Sequence, residues 1–331
     1  MQKVCIVIPF YNGDEYIDAC LRSLSLGSCA QAEKIVVNNS DKPTKLRDIA
    51  GFYENVTVID TEPRIGFGRA CNEGAKLGIL RGAQYIIVLN QDSIAHEDLV
   101  SELINPFAEA AELVLTAPIL YDYAFSSIEG FFIRHYLSRC PDLFYDALSN
   151  RVKTRYKVDC VCGACFAIRS EFINRYGLFD PIYFMYEEDD DLCRRIGYTN
   201  YDIAMIPGAK VAHYHSHVNI CKNDKMRIQI QNRHSLSIYQ LKDVHMPILE
   251  SCIRVCCRNT IDYIKWILSL KMWYVLNALI TDSKLVIKLP YIIRSRNAEM
   301  DIAKKVQADR QIENALGRPT RGIEKPCDDS Q

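Results

Sequence analysis

Residues 4–12 read VCIVIPFYN, an unbroken apolar run closed by a proline, two aromatics and an amide. A run with no polar alternation is a strand buried on both faces rather than one side of an exposed sheet. The pattern returns at Lys34–Val37, Val56–Ile59 and Tyr85–Leu89. Between these runs the apolar residues fall at helical spacing, as with Tyr16, Ile17, Cys20, Leu21 and Leu24 within Asp14–Leu26, again from Pro43, and from Gly68 to Arg81. Strands alternating with helices predict a doubly wound α/β domain around a parallel sheet, whose ligands belong at the C-terminal ends of the strands.

Polar residues fall at those ends. The strands lead into Pro9-Phe10-Tyr11-Asn12, Asn38-Asn39-Ser40-Asp41, Gly66-Phe67-Gly68 and Asn90-Gln91-Asp92-Ser93, so four loops converge on one crevice. Residues 122–158 are less regular and aromatic, which suits a variable insertion; strand patterns resume at Val158–Ile168 and Ile203–His213. From about residue 222 long helical patterns take over, through Arg227–Leu241, Ile248–Leu270 and Trp273–Ile293, with tryptophans and tyrosines set among lysines and arginines. The expected partition is an α/β domain over 1–221, divided at 121/122, a helical appendage over 222–313 and a disordered polar tail over 314–331. Aromatic and basic residues on amphipathic helices suit peripheral contact with a bilayer; packing on the catalytic domain or on a second subunit of a homo-oligomer is the equal alternative.

Forty basic residues against 41 acidic ones in 331 give no general footprint for nucleic acid. The 14 cysteines are scattered, without the small size of a stapled domain, and imply free thiols in a reducing cytoplasm. Cys160, Cys162 and Cys165 resemble a metal knuckle, but the run continues into a strand pattern, which favours buried strand cysteines. The N-terminus enters a strand directly, so no secretory leader is expected, and no apolar run reaches the roughly 20 residues of a membrane span.

The acidic run YEEDDDLCRR, residues 186–195, puts five carboxylates in a row. Composition alone reads this as a solvated patch. Its flanks read otherwise: Gly177–Tyr186 is aromatic and apolar, and Leu192, Cys193 and Ile196 recur at helical spacing, so the acids open a short helix whose N-terminus favours negative charge. Carboxylates beside buried aromatics point to selected protonation states.

Seven segments, VCIVIPFYN, IVVNNSD, RIGFGRACNEG, YIIVLNQDS, GACFAIR, LFDPIYFMYEEDDDLCRR and VAHYHSH, resemble in order and spacing the family 2 inverting glycosyltransferases with the GT-A fold, and their rhamnosyltransferase branch in particular. The resemblance covers residues 3 to about 240. It implies a Rossmann-like nucleotide-diphospho-sugar transferase domain that moves a hexose, with rhamnose as one candidate, from a UDP- or dTDP-activated donor to a hydroxyl of a cell-surface polysaccharide or lipid-linked glycan. It also implies a cytoplasmic enzyme, peripheral on the membrane if the helices bind lipid.

Carried over residue by residue, the resemblance assigns Pro9, Tyr11, Asn12, Asn38, Gly66, Gly68, Arg69, Asn72, Asn90 and Gln91 to the nucleotide sugar. It assigns Asp92 and His213 to a divalent cation, Mn2+ or Mg2+, that neutralises the diphosphate. Asp189 is the base that takes the acceptor proton, and Glu188 orients the acceptor. An Asp92 or Ser93 that merely caps a following helix is the bland alternative. The chain departs from the family at Asn90 and Asn38, where carboxylates are common, and at Gln91, where proline is frequent. These departures lend weight to a non-catalytic nucleotide- or sugar-binding relative. Gln231-Asn232-Arg233 is expected over the phosphates or acceptor. A nucleotidyltransferase is disfavoured, because Phe10–Glu15 lacks the Gly-rich loop with Arg and Lys.

Overall fold

The computed structural model describes residues 2–214 and 222–315. The chain runs β1 (Val4–Phe10), α1 (Asp14–Ser23), β2 (Glu33–Asn38), α2 (Leu46–Ala50), β3 (Val56–Asp60), α3 (Phe67–Leu80), β4 (Tyr85–Leu89), β5 (Ser93–Ala95), α4 (Leu99–Ile104), α5 (Pro106–Glu109) and β6 (Leu113–Tyr121). It continues through α6 (Gly130–His135), α7 (Pro141–Leu148), β7 (Tyr156–Val158), β8 (Cys165–Arg169), α8 (Ser170–Tyr176), α9 (Glu188–Gly197), β9 (Asp202–His213), α10 (Lys222–Lys242), α11 (Ile248–Leu268) and α12 (Met272–Ala315). All nine strands join one sheet in the order β3-β2-β1-β4-β8-β6-β9-β5, with β7 against β9.

Side chains alternate along β1 between two cores. Ile6, Ile8 and Phe10 pack with Ile17 and Leu21 of α1, while Cys5 and Val7 pack with Ala70, Cys71 and Ala75 of α3. Both faces are therefore dry, which is why the strand reads as one apolar run. Gly74 lets α3 lie close to the sheet, since a Cβ there would overlap Val7 and stand 2.9 Å from Val37 Cγ2.

The sheet is parallel only in part. β1 to β4 pair in parallel, but β8 enters antiparallel between β4 and β6, and β5 and β7 lie antiparallel to β9. An apolar run reads the same in either direction, so a fully buried strand carries no sign of its orientation. β6 is a further strand beyond the four expected in the first 120 residues. Ser93 opens β5 rather than a helix, and α4 begins only at Leu99; the helix-cap alternative for Asp92 and Ser93 is thereby overturned. Cys160 and Cys162 lie in the loop before β8, and Cys165 begins that strand. The tail from residue 316, His215 and His217 fall outside the described residues.

Among the ties between the C-terminal helices and the sheet domain, the most deeply buried charged group is a lysine. Lys242, at the end of α10, is completely buried, with Nζ 2.7 Å from Asp180, 2.8 Å from Asp191 and 2.9 Å from Glu299. The three carboxylates lie within 4.8 Å of one another, a cluster that would suit a metal, yet the ammonium group already sits among them. Asp191 also takes Arg194 at 3.1 Å, Arg195 at 3.0 Å and the Tyr183 hydroxyl at 3.1 Å. Breaking a buried pair from one side strands the other charge, at a cost of about 3–5 kcal/mol. Lys242→Met is accordingly expected to lower unfolding free energy by about that amount in urea titrations; a loss below about 1 kcal/mol would show that the cluster does not hold the helices to the domain.

Candidate active site

At the C-terminal ends of β1, β2 and β4 a cleft of about 270 Å³ is lined by Pro9, Phe10, Tyr11, Asn39, Arg64, Gly66, Phe67, Asn90, Gln91, Asp92, Phe184 and Met185. Six of the expected residues share this lining: Pro9, Tyr11, Gly66, Asn90, Gln91 and Asp92. Gln91 also locks two of the loops together. Its side chain accepts from Tyr11 N at 2.8 Å and donates to Tyr11 O at 3.1 Å, pinning the β1 loop to the β4 loop.

Several expected nucleotide contacts serve the protein's own backbone in this structure. Asn38 donates to Asp60 at 2.8 Å and accepts from Ser40 N at 3.2 Å, while its neighbour Asn39 lines the cleft and accepts from Ile65 N at 2.6 Å. Asn72 makes a reciprocal pair with Phe179, to its carbonyl at 2.8 Å and from its N–H at 3.0 Å, and Arg69 Nε donates to Pro181 O at 2.9 Å. Gly66, at φ 99°, brings the start of α3 against Phe184, whose carbonyl accepts from Phe67 N at 3.1 Å; a Cβ on Gly66 would overlap it. A Cβ on Gly68 would stand 3.1 Å from Phe179 Cβ and 3.7 Å from Glu188 Cβ, so this glycine makes room for the acidic helix.

The segment entering α9 is held carbonyl by carbonyl: Leu178 by Arg195, Pro181 by Arg69, Ile182 by Lys288, Phe184 by Phe67 and Met185 by Ser235. This hold maintains Tyr186 and Glu187 at φ 70° and 67°, a left-handed pair costing about 1–3 kcal/mol each. The turn delivers four successive carboxylates into the first turn of α9. At about 100° per residue they point in different directions and meet different surroundings.

Glu188 is buried under α3, and its Oε2 has no hydrogen-bond partner among the described residues. Burial first, then neighbouring Asp189, pushes its pKa well up. Asp189 accepts from Gly163 N at 2.7 Å and from Asp190 N at 3.0 Å. Burial raises its pKa and those two N–H groups restrain the rise. Burial followed by the acids around them pushes Asp190 up to about 6 and Glu187 up to about 7. Asp191 goes the other way: burial would raise it, but Lys242, Arg195 and Arg194 together outweigh burial and hold it well below the usual carboxylate range.

The base candidate and the loop that carries the metal candidate Asp92 are joined by two residues. Gly163 N donates to Asp189, and the next carbonyl, Ala164 O, accepts from Asn90 N at 2.9 Å. Beyond Asn90, His213 Nε2 lies 3.3 Å from Asn90 Nδ2 and 3.4 Å from Asp92 Oδ1. Antiparallel pairing of Ser93 with His213 sets that approach. Arg233, expected near the phosphates, instead pairs with Asp282 at 2.7 Å and stacks on Tyr263 and Trp266.

Sequence reading passed over Asp41, which gathers the Tyr11 hydroxyl at 3.2 Å, Asn12 Nδ2 at 2.8 Å and Arg64 at 3.2 Å. Asn12 first, then Tyr11 and Arg64, keep its pKa below the usual value despite opposing burial. Its place in NNSD was the available signal. Arg64, Phe184 and Met185 lie in the segments RIGFGRACNEG and LFDPIYFMYEEDDDLCRR but were given no role there, because they reach the cleft only through the folded course of their loops.

Comparisons with known proteins place the fold in a family. The chain belongs to glycosyl transferase family 2, whose family model matches residues 5–177, and it is a glycosyltransferase. It is similar to an N-acetylglucosaminyl-diphospho-decaprenol L-rhamnosyltransferase of Mycobacterium tuberculosis, with 24% identity over 235 residues covering 64% of this chain and 76% of the relative. It is also similar to the rhamnosyltransferase WbbL of Escherichia coli K12, with 25% identity over 233 residues covering 65% and 85%. Among solved structures it shares its fold with the mannosyltransferase PcManGT of Pyrobaculum calidifontis, in complex with GDP-Man and Mn2+. The TM-score there is 0.53 at 15% identity, over 96% of this chain and 88% of that one.

The raised pKa of Glu187 has a definite sign for stability. The folded state holds its proton up to about pH 7, while the unfolded chain releases it near 4.5, so stability falls as pH rises between those values. Glu187→Gln is expected to melt at the same temperature as wild type at pH 4.5 and higher than wild type at pH 8; equal melting at both would show that the carboxylate is not buried among its neighbours.

Proposed function

We propose that the chain transfers a hexose, with rhamnose the first candidate, from a UDP- or dTDP-activated donor to a hydroxyl of a lipid-linked or polysaccharide glycan, with inversion. The observation that carries this reading is the Asp189–Gly163–Ala164–Asn90 link. It sets a carboxylate of raised pKa at a fixed place relative to the loop that ends in Asp92. An inverting displacement needs a base on the acceptor side and charge neutralisation on the diphosphate side. Rhamnose is favoured by the names of two relatives, one of which acts on a diphospho-decaprenol-linked sugar.

In this reading Tyr11, Asn39 and Arg64 receive the nucleoside, with Asp41 fixing the Tyr11 and Arg64 side chains. Asp189 accepts the proton of the acceptor hydroxyl as that oxygen attacks the anomeric carbon. Gly163 N–H keeps its carboxylate aimed and partly lowers its basicity. Glu188 is buried, and burial followed by the neighbouring Asp189 raises its pKa well above the ordinary value, which favours an O–H there over a second charge beside the base.

The residues around Asp92 suit a divalent cation. Asn90 Oδ1 is buried without a hydrogen-bond partner among the described residues, and Asp92 and His213 stand 3.4 Å apart beside it, a set with oxygen ligands and one imidazole. A cation held by Asp92 and His213 would neutralise charge on the diphosphate. One carboxylate instead of two makes the protein's own grip on it weaker.

Calorimetric titration of UDP, dTDP, GDP and CDP, with and without manganese, tests the reading. One uridine or thymidine diphosphate is expected to bind selectively and more tightly with the metal. Asp92→Ala should remove that metal enhancement, whereas Asp189→Asn should bind like wild type and lose transfer by about 10²–10⁴-fold. Failure of all four nucleotides to bind would refute the assignment, as would an Asp189→Asn variant that loses affinity as severely as activity.

A further inference from the structure

The hairpin of α11 and α12 has two faces of opposite character. Val255, Trp266, Ala278, Leu285 and Ile292 turn inward and are buried. Outward, most of the large apolar side chains that the fold leaves exposed lie between Ile248 and Ile293. They recur at helical spacing, as Ile261, Ile264 and Leu268 in α11 and Trp273, Leu276 and Ile280 in α12, so each helix carries a continuous apolar stripe. At the turn between the helices Leu268, Leu270 and Trp273 are 79%, 87% and 61% exposed.

Within the apolar stretch 248–293 the exposed charged side chains are basic, Arg254, Lys265, Lys271 and Lys284, apart from Glu250, which pairs with Arg254 at 2.8 Å; Asp301 and Asp309 are exposed farther along α12. The other two acids of that stretch, Asp262 and Asp282, are only half-exposed, and Asp282 is engaged by Arg233 and Tyr263. Two copies of this stretch would bring cations together, with Glu250, already paired with Arg254, as its one exposed carboxylate. An anionic surface meets both its apolar stripes and its charge. No helix among the described residues is long and apolar enough to cross a membrane, so the hairpin suits contact with a bilayer surface rather than insertion through it.

We propose that the α11–α12 hairpin docks the protein on an anionic phospholipid surface, lying along it with Leu268, Leu270 and Trp273 sunk among the headgroups. Because Lys242 and Glu299 tie α10 and α12 to Asp191 of α9, docking holds the acidic helix in a fixed relation to the bilayer. The use of that placement for a lipid-linked acceptor rests on the proposed function; the docking itself does not.

The test is sedimentation of the full chain with extruded vesicles of phosphatidylcholine alone or with about a third phosphatidylglycerol. Wild type is expected to bind the anionic vesicles at least about tenfold better, and less well at high salt. The triple variant Leu268→Glu, Leu270→Glu, Trp273→Glu should lose at least about tenfold in binding while keeping its melting temperature and nucleotide affinity, since these side chains support no core. Lys271→Glu with Lys284→Glu should weaken binding to anionic vesicles only.

Failure of wild type to bind, equal binding to both vesicle types, or a triple variant that binds like wild type would overturn the proposal. A wild-type dimer that the triple variant splits, without vesicle binding, would overturn it too and assign the face to a second copy. None of these outcomes changes the nucleotide titration, so the two readings fail separately.

Discussion

The structure turns on one buried ammonium group. Lys242 is enclosed by Asp180 from the loop before α9, Asp191 from α9 and Glu299 from α12. Charges this far from water are tolerated only when closely paired, so the lysine fixes three parts of the chain at one point. The C-terminal helices are thus joined to the acidic segment by buried ion pairs and by hydrogen bonds from Ser235 and Lys288. The same ion cluster explains why adjacent acids behave oppositely. Asp191 stays charged because Lys242 and two arginines surround it, while Glu188, buried, and Glu187, Asp189 and Asp190, half-buried, lack such close cations and hold their protons more tightly. One turn of helix therefore contains a fixed anion and a set of poised acids, the arrangement that acid–base chemistry near neutral pH needs.

A second constraint is the hold on residues 178–185. Asn72, Arg69, Phe67, Ser235 and Lys288 each take a backbone group of that segment. Polar residues at the start of α3 that would serve a ligand if they pointed into the cleft here serve the neighbouring loop. The consequence is a multiply tethered wall, in which Phe184 and Met185 line the cleft together with Tyr11 and Asp92. Preorganisation of this kind supports transfer, because a base and a leaving group must keep a set separation while the acceptor arrives.

The parallel half of the sheet was legible because buried parallel strands have an unmistakable form, apolar throughout and punctuated by polar loops, as in Val4–Phe10 and Tyr85–Leu89. β6 was not, since Thr116 and Pro118 interrupt its apolar run, and both are accommodated in the folded strand, Thr116 by donating to Leu103 O at 2.8 Å. The direction of β8 was invisible for a different reason, because apolar content encodes burial and not polarity of the strand. Motif order identified the Asn90–Asp92 loop, which lines the cleft, and the acidic run, whose Asp189 is linked to that loop through Gly163 and Ala164. What no local pattern could announce was Lys242: its three partners come from distant parts of the chain, and in the sequence it is one more lysine at a helix end. Asn38 and Asn39 teach the same lesson at close range, since which of two adjacent amides faces the cleft depends on Asp60 at the end of a neighbouring strand.

The central claim is a single displacement in which Asp189 accepts the acceptor proton across the anomeric carbon from the diphosphate. Its most direct test is the anomeric configuration of the product made by the wild-type protein, read from the one-bond carbon–proton coupling of the transferred sugar by NMR. Configuration opposite to that of the donor is the predicted result. Retention would contradict the account, since it requires either a covalent sugar on the protein or attack from the diphosphate side.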